Sequence, residues 1–272
     1  MTTPVLSVTN LVKRFKDFTA VDAVSFDLLP GSSLGIVGES GSGKTTTARI
    51  LAGLEQATSG SVAFDGEEVS ARSRRGRLHH ARRLQMIFQD PYASFDPRLT
   101  IAESVTEPLR LHRTAPGREQ ERVAELLNQV GLSTRAGQSR PRDLSGGQRQ
   151  RAAIARALAV EPRVLVLDEA VAALDVSIQA QILTLLDELR RETAVSYVFV
   201  SHDLAVIRYI TDSAIVMRRG LVVERGPTEE LLRTPQHPYT RLLLDSIPSP
   251  GWDLDRVAED RRALDTYGEK AC

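Results

Sequence analysis

A glycine-rich segment between residues 34 and 46 constrains the fold of this 272-residue chain more than any other feature. An apolar run ends at Val37, a glycine-rich turn follows, and no helix-breaking residue then appears until Gly53. The segment matches G-x-x-x-x-G-K-[ST], the pattern of a phosphate-binding P-loop, and ends in Lys44 and Thr45. We therefore predict a buried strand, a phosphate-binding loop and a helix in direct succession.

The chemistry of this loop predicts nucleotide binding. Glycines let consecutive backbone N–H groups surround phosphate oxygens, and the following helix adds the positive end of its dipole. We expect the Lys44 ammonium to reach the β- and γ-phosphates and the Thr45 hydroxyl to bind Mg²⁺. A glycine turn that binds nothing is the alternative. The predicted nucleotide-binding residues of the loop are Gly38, Glu39, Ser40, Gly41, Ser42, Gly43, Lys44, Thr45 and Thr46.

Composition argues against several other classes of protein. Lys plus Arg and Asp plus Glu both number 35, so the formal net charge is +0 and no global field attracts nucleic acid or acidic lipid. No run approaches the roughly 18 apolar residues that span a bilayer, and we expect no signal peptide. Cys272 is the only cysteine, which excludes an internal disulfide and a cysteine-based metal site. We expect a soluble, cytosolic protein without a nucleic-acid partner.

The segments around the loop predict further strands. Residues 5–11 and the alternating residues 24–28 indicate strands before it, and 61–65 indicates one after it. Phe15 lies between the first two strands and is either a packed core or hairpin aromatic or a stacking surface for adenine. The arginine-rich run 72–83 contains two histidines but no interleaved aromatics, so we expect a solvated loop and helix face.

Helical patterns occupy the middle of the chain. Residues 84–88 indicate a buried strand with Gln89 at its tip, and helices are predicted from about residue 97 to 142. A serine and two glycines then precede an alanine-rich helix, which indicates either an ordinary N-cap or a second anion-binding helix terminus. Since one nucleotide needs only one P-loop, a second phosphate-binding segment suggests contact with a nucleotide held by another subunit. This segment consists of Ser145, Gly146, Gly147 and Gln148.

Two acidic residues and a histidine follow apolar strands in the second half of the chain. Asp168 and Glu169 come after 164–167, and His202 comes after 195–200. Because open α/β sheets bind ligands at the carboxyl ends of their strands, we expect all three near the phosphates. Asp168 would bind Mg²⁺ directly or through water, Glu169 would orient or deprotonate the attacking water, and His202 would contact the γ-phosphate. A solvated acidic strand end and a structural histidine are the alternatives.

Together, these motifs resemble the nucleotide-binding subunit of an ATP-binding cassette (ABC) transporter over about residues 4–248. Residues 85–94, 174–180 and 237–240 are similar to the oligopeptide and dipeptide importer branch, which also includes nickel importers. The resemblance implies an α/β P-loop NTPase (RecA-like) core with a mixed sheet, an N-terminal antiparallel β subdomain and an inserted α-helical subdomain. The implied domains are an ATPase core at 1–96 and 143–228, a helical signature subdomain at 97–142, and a C-terminal extension at 229–272.

The resemblance also implies residue roles. Phe15 would stack on adenine, where a tyrosine is more usual. The 145–148 segment of one subunit would cover the ATP held by a second. The implied catalytic residues are Glu169 as the base, His202, Gln89 and Lys44. The implied Mg²⁺-positioning residues are Thr45, Gln89 and Asp168. One departure concerns residues 170–172, which are Ala-Val-Ala where the family commonly has Pro-Thr-Ser in a loop that crosses the dimer interface.

The cofactors and partners follow from the same resemblance. ATP and Mg²⁺ are the implied cofactors. The implied partners are transmembrane permease subunits, a second ATPase subunit that is a copy or a paralogue, and indirectly an extracytoplasmic solute-binding protein. The subunit would lie peripherally at the cytoplasmic face of the cell membrane and power import through head-to-tail dimer closure. The alternatives are a soluble ABC ATPase of DNA repair or translation, an importer subunit for nickel or another solute, and a regulatory subunit that barely hydrolyses ATP.

Overall fold

The computed structural model of the chain describes residues 2–68 and 73–246. Within these ranges the strands are β1 (Leu6–Phe15), β2 (Phe18–Leu28), β3 (Ser33–Val37), β4 (Ser59–Phe64), β5 (Glu67–Glu68), β6 (Leu84–Ile87), β7 (Val164–Asp168), β8 (Ser196–Val200), β9 (Ser213–Arg218) and β10 (Leu221–Pro227). The helices are α1 (Lys44–Leu51), α2 (Arg74–Arg83), α3 (Ile101–His112), α4 (Glu119–Gln129), α5 (Thr134–Gln138), α6 (Gly146–Leu158), α7 (Val176–Thr193), α8 (Leu204–Ile210), α9 (Thr228–Arg233) and α10 (Pro238–Asp245). The predictions made for 69–72 and 247–272, including Cys272, lie outside the described residues.

The strands form two sheets. The smaller one has the order β2-β1-β4-β5 and is antiparallel throughout. The larger one has the order β10-β9-β3-β8-β7-β6, in which the β10–β9 pair is antiparallel and the remaining neighbours are parallel. A mixed sheet with helices and a separate antiparallel sheet at the N-terminus confirms the predicted fold class.

The central strands of the larger sheet determine where a ligand can bind. Every residue of β3, β7 and β8 is buried, which explains why their sequences are apolar runs rather than alternating patterns. These strands are parallel, so their carboxyl ends lie at one edge of the sheet. The P-loop follows β3 at this edge, and the residues after β7 and β8 emerge beside it.

Hydrophobic residues on the two faces of the larger sheet form two cores. One lies between the antiparallel sheet, α1 and the sheet face that carries Ile36 and Val166. The other joins the opposite face, with Leu167 and Phe199, to the helices that follow β6. Helix α1 belongs to the first of these cores, between the antiparallel sheet and the larger sheet, so the P-loop that precedes it lies on a packed support.

The helices predicted for the middle of the chain are present. Thr100 and Glu103 form a capping box at the start of α3, with hydrogen bonds in both directions. Helix α4 buries Val123, Leu126 and Leu127, which lie on one face at helical spacing. No helix within the described ranges combines the length and the apolar character needed to cross a membrane.

His80 departs from the solvated face that its arginine-rich context predicts. Its side chain is 6% exposed, its Nε2 lies 2.7 Å from the carbonyl oxygen of Leu51, and its ring packs against Phe64. Burial lowers the pKa of His80 below its usual value, which favours the neutral ring. A Cβ on Gly53 would lie 2.8 Å from His80 Nδ1, so the glycine makes room for this contact. The prediction for this residue was wrong because no sequence signal set it apart from the solvated residues around it.

Candidate active site

Two glycines give the P-loop its shape. Gly38 has φ +150°, and a Cβ at this position would lie 2.2 Å from the carbonyl oxygen of Met217. Gly43 has φ +103°, and its Cβ would lie 2.3 Å from the carbonyl oxygen of Ala20. Side chains are excluded here both by conformation and by space. Only glycine therefore fits at these two positions of the loop.

Lys44 lies at the centre of this loop. Its side chain is buried, and its ammonium donates hydrogen bonds of 2.7 and 2.8 Å to the carbonyl oxygens of Gly38 and Glu39. Burial lowers the pKa of Lys44, while the negative charges of Glu169, Asp168 and Glu39 oppose the shift. The Lys44 ammonium is bonded here to neutral carbonyl oxygens. Because hydrogen bonds to charged oxygens are stronger, the ammonium would bind phosphate oxygens in preference to these carbonyls.

The residues of the loop fit a phosphate group. Ser42 is 4% exposed, and its hydroxyl oxygen is buried with no hydrogen-bond partner among the described residues. This oxygen lies 2.7 Å from the position that a Cβ on Gly38 would occupy, so it lies inside the loop. A buried hydroxyl without a partner costs free energy, and a phosphate oxygen would satisfy it.

Thr45 and Asp168 fit an Mg²⁺ ion. The Thr45 hydroxyl donates a hydrogen bond of 3.2 Å to Asp168 Oδ1. Burial raises the pKa of Asp168, the nearby charge of Glu169 adds to this effect, and the Thr45 bond opposes it. Hard oxygen donors are the ligands that Mg²⁺ prefers, and its charge would compensate the buried carboxylate. Gln89 is exposed two residues beyond β6, which pairs with β7 through Ile87, so Gln89 belongs to the same edge.

Replacing Asp168 with Asn is expected to separate metal binding from stability. The neutral amide avoids both the desolvation of a buried charge and the repulsion from Glu169, so the melting temperature of the ligand-free chain should rise. An amide is a weak Mg²⁺ ligand, so the additional stabilisation that Mg²⁺ gives over ATP with EDTA should disappear. Thermal unfolding of the full chain measures both effects. Asp27→Asn, at an exposed position of β2, should behave like wild type, and a persistent Mg²⁺ effect in Asp168→Asn would contradict the assignment.

Glu169 and His202 meet at the ends of β7 and β8. His202 Nδ1 lies 3.1 Å from Glu169 Oε1, and the backbone N–H of Glu169 donates to the carbonyl oxygen of Val200. Glu169 has φ +48°, a left-handed conformation that costs about 1 kcal/mol or more in a residue other than glycine. The structure thus brings together the two side chains proposed as base and γ-phosphate contact.

The unusual residues 170–172 form an ordinary turn in this chain. Ala170 and Val171 are buried, and the backbone N–H of Ala172 donates a hydrogen bond of 3.0 Å to the carbonyl oxygen of Glu169. The substitutions from the common Pro-Thr-Ser therefore leave Glu169 held on both sides. Their effect on communication between subunits stays a prediction.

The 145–148 segment caps its own helix in the single chain. Ser145 Oγ accepts a hydrogen bond from the N–H of Gln148, and Gln148 Oε1 accepts one from the N–H of Ser145. A Cβ on Gly147 would lie 2.6 Å from Ile178 Cγ2, so this glycine also lets α6 pack closely on α7. Ser145 and Gly146 are exposed. In the single chain, the segment therefore acts as an ordinary N-cap, which is one of the two alternatives. Its contact with ATP held by a second subunit stays a prediction.

Phe15 is the last residue of β1 and not, as predicted, part of a connection between two strands. It pairs with Phe18 of β2 at the tip of the hairpin. Its side chain is 44% exposed, and Lys13 Nζ lies 4.6 Å from the centroid of its ring. The hairpin alternative is therefore correct and the core alternative is wrong. An exposed ring is available for stacking, which keeps the adenine role open.

Phe15→Ala is expected to weaken ATP binding to the full chain by about two- to tenfold, because an aromatic stacking contact contributes about 0.5–1.5 kcal/mol. Phe15→Tyr should retain the affinity. Phe18→Ala is a matched control, since Phe18 lies opposite on the same hairpin and is 58% exposed. Titration calorimetry with ATP measures all three variants. Equal affinities for Phe15→Ala and Phe18→Ala would remove Phe15 from the site.

One residue at the site had no predicted role. The hydroxyl oxygen of Tyr239, in α10, accepts a hydrogen bond of 3.0 Å from the backbone N–H of Glu39 in the P-loop. In the sequence, the motif around Tyr239 shows only a similarity to the importer branch. No local spacing could have placed it at a loop 200 residues away.

These features define a class of protein. A P-loop, the Thr45–Asp168 pair and the Glu169–His202 pair share one edge of a mixed sheet, and a glycine-rich helix start lies on the helical layer. This is the architecture of an ATP-binding cassette ATPase. The chain belongs to the ABC transporter family, whose model matches residues 21–172. Residues 223–272 match a second family, described as "Oligopeptide/dipeptide transporter, C-terminal region".

Individual relatives agree with this assignment. The oligopeptide transport ATP-binding protein OppF of Bacillus subtilis is 47% identical over 263 residues, covering 94% of this chain and 86% of that protein. The glutathione import ATP-binding protein GsiA of Pectobacterium atrosepticum is 48% identical over 257 residues, covering 90% of this chain but only 41% of GsiA. The solved dimer of the ATP-binding cassette MJ0796 with ADP and Pi is 30% identical, with a TM-score of 0.73, and covers 82% of this chain and 98% of that one. The predicted family and branch are confirmed.

Proposed function

We propose that this chain is the ATP-hydrolysing subunit of an ABC importer for oligopeptides or dipeptides. The proposal rests on one observation: the same chain contains the ATP-site residues and a C-terminal region of the peptide-transporter type. The chain would act at the cytoplasmic face of a membrane as a peripheral subunit. Its partners would be permease subunits and a second cassette, and indirectly an extracytoplasmic solute-binding protein.

The geometry supports a hydrolytic mechanism. The P-loop amides and Lys44 would hold the phosphates, while Thr45, Asp168 and Gln89 would position Mg²⁺, which neutralises charge on the β- and γ-phosphates. Glu169 would accept a proton from the attacking water, and His202, 3.1 Å away, would orient the carboxylate and contact the γ-phosphate. The 145–148 segment of the second cassette would complete the site.

A connection within the chain supports coupling to a permease. Two arginines of α6 hold the segment after Gln89: the Arg149 guanidinium lies 5.2 Å from the Tyr92 ring, and the Arg156 guanidinium lies 4.5 Å from the Phe95 ring. Arg156 also donates a hydrogen bond to the carbonyl oxygen of Ser94. Motion near Gln89 would therefore be transmitted to the helix that begins with the 145–148 segment.

The helices that follow this segment enclose a groove. The groove, of about 1420 Å³, lies between α3, α4 and α5, with Val123 and Leu127 among its apolar residues and Glu103 and Arg110 among its charged ones. In the proposed complex, a cytoplasmic helix of a permease would lie in this groove. Dimer closure would then move the permease between its two orientations.

The proposal is tested by isolating the assembled complex. The tagged full chain is purified from membranes of its host, the co-purifying subunits are identified, and ATP turnover is measured with di- to pentapeptides, glutathione, nickel, DNA or ribosomes. Membrane-spanning partners and stimulation by peptides support the proposal. Stimulation by nickel alone would assign another solute, whereas stimulation by DNA or ribosomes without a permease would assign a soluble ATPase. Negligible turnover in the complete complex would indicate a regulatory subunit.

A further inference from the structure

Tyr239 connects the C-terminal region to the P-loop. It lies in α10, its side chain is 1% exposed, and its hydroxyl oxygen accepts the hydrogen bond from the N–H of Glu39. Glu39 follows directly on Gly38, the first glycine of the P-loop. A residue of the region that matches the peptide-transporter family is therefore in direct contact with the nucleotide-binding loop.

The contact falls on one peptide unit. The carbonyl of Gly38 and the N–H of Glu39 belong to the same peptide bond. Lys44 Nζ donates to this carbonyl at 2.7 Å, and the N–H donates to Tyr239 at 3.0 Å. Gly38 has φ +150°, a conformation that L side chains rarely adopt. The Gly38–Glu39 peptide is thus held at its carbonyl oxygen by Lys44 and at its N–H by Tyr239. The backbone conformation of glycine alone would not fix this orientation.

Tyr239 is itself firmly held. His237 Nδ1 accepts a hydrogen bond from the N–H of Tyr239 at the start of α10. The N–H groups of Gln236 and His237 donate to the carboxylate of Glu224 in β10. The guanidinium of Arg218, at the end of β9, lies 5.1 Å from the Tyr239 ring centroid. The hydroxyl is therefore fixed relative to the sheet that carries the P-loop.

We propose that Tyr239 is a positioning residue for ATP. Phosphate oxygens compete with the loop carbonyls for the Lys44 ammonium, so bound ATP would weaken the Lys44 restraint on the Gly38–Glu39 peptide. The Tyr239 hydroxyl would continue to hold the peptide from its other end and keep the loop amides facing the phosphates. The inference rests on the ATP binding in the proposed function and is independent of the transported solute.

Tyr239→Phe removes only the hydroxyl oxygen. The variant is expected to raise the dissociation constant and the KM for ATP by about fivefold, equivalent to the roughly 1 kcal/mol of one neutral hydrogen bond. At saturating ATP the kcat should stay within about twofold of wild type, because no reacting atom is touched. Calorimetry on the full chain gives the dissociation constant, and phosphate release by the assembled complex gives KM and kcat.

Tyr197→Phe is the matched control. Tyr197 is 0% exposed in the same hydrophobic core, and its hydroxyl donates a hydrogen bond of 2.8 Å to the carbonyl oxygen of Leu186. It should lose thermal stability without a change in ATP affinity. If Tyr239→Phe also bound ATP like wild type, a purely structural role would follow and the inference would be overturned. If Tyr239→Phe binds ATP more weakly than wild type, and peptides do not stimulate the ATP turnover of the complex, the inference would be supported and peptide import refuted.

Discussion

Glu169→Gln is expected to lower the ATP turnover of the assembled complex by about 10³-fold, within the usual range for loss of a general base. Glutamine has the same size as glutamate and can still form a hydrogen bond to His202, now 3.1 Å from Glu169 Oε1. It cannot accept the proton of the attacking water. ATP affinity of the full chain should stay within about twofold of wild type. Phosphate release and calorimetry measure the two quantities separately.

Glu192→Gln is the control for this variant. Glu192 is an exposed residue of α7, so the same loss of charge at that position should leave turnover unchanged. Wild-type turnover in Glu169→Gln would show that another group activates the water. A large loss of ATP affinity would instead show that the carboxylate acts in ground-state binding, since only interactions made in the transition state lower kcat selectively.

Local sequence patterns could predict those elements whose residues are determined by a single requirement, such as burial or the exclusion of a side chain. Strands buried on both faces need uninterrupted apolar residues, and β7 and β8 have them. The P-loop needs glycine where a Cβ would collide with backbone, as at Gly38. Because parallel strands end at a common edge, the positions of Asp168 and Glu169 beside the P-loop followed from the pattern of the strands alone.

Contacts between distant segments were beyond such patterns. His80 is buried only because Gly53 leaves space beside α1, and Tyr239 reaches the P-loop only because α10 places its hydroxyl against the N–H of Glu39. The sequence pattern predicts a connection at Phe15, because an exposed residue at the tip of a hairpin adds no apolar alternation. In each case the environment of the side chain is set by a tertiary contact, whereas sequence periodicity reports only on the element that contains the residue.

In the part of the chain that the structure describes, the side chains gathered beside the P-loop come from the ends of β7 and β8, on one side of the expected triphosphate. The 145–148 segment has the chemistry to cover the γ-phosphate from the opposite side, an exposed helix N-terminus with small residues, yet in this chain it forms a capping box and packs through Gly147 on α7. A second cassette would supply the same segment to this ATP. The two functions of Ser145, as a cap and as a phosphate contact, can be separated by substitution.

Ser145→Asp is expected to lower the turnover of the assembled complex by at least about 10²-fold, while ATP affinity of the isolated chain stays at the wild-type value. Aspartate caps helices as well as serine does, so α6 should keep its N-terminus. Its carboxylate would face the triphosphate of the partner subunit, and repulsion between like charges in a desolvated interface costs several kcal/mol. Phosphate release by the complex and calorimetry on the chain measure the two effects.

Ser73→Asp provides a control with the same chemistry. Ser73 is the exposed N-cap of α2 and accepts a hydrogen bond of 3.0 Å from the N–H of Gly76, so its substitution adds a carboxylate to an equivalent cap. Turnover of this variant should be that of wild type. Equal turnover of the two variants would remove the 145–148 segment from the ATP site. A loss of ATP affinity in isolated Ser145→Asp would place the segment against the chain's own nucleotide, because repulsion acts only on an anion within reach.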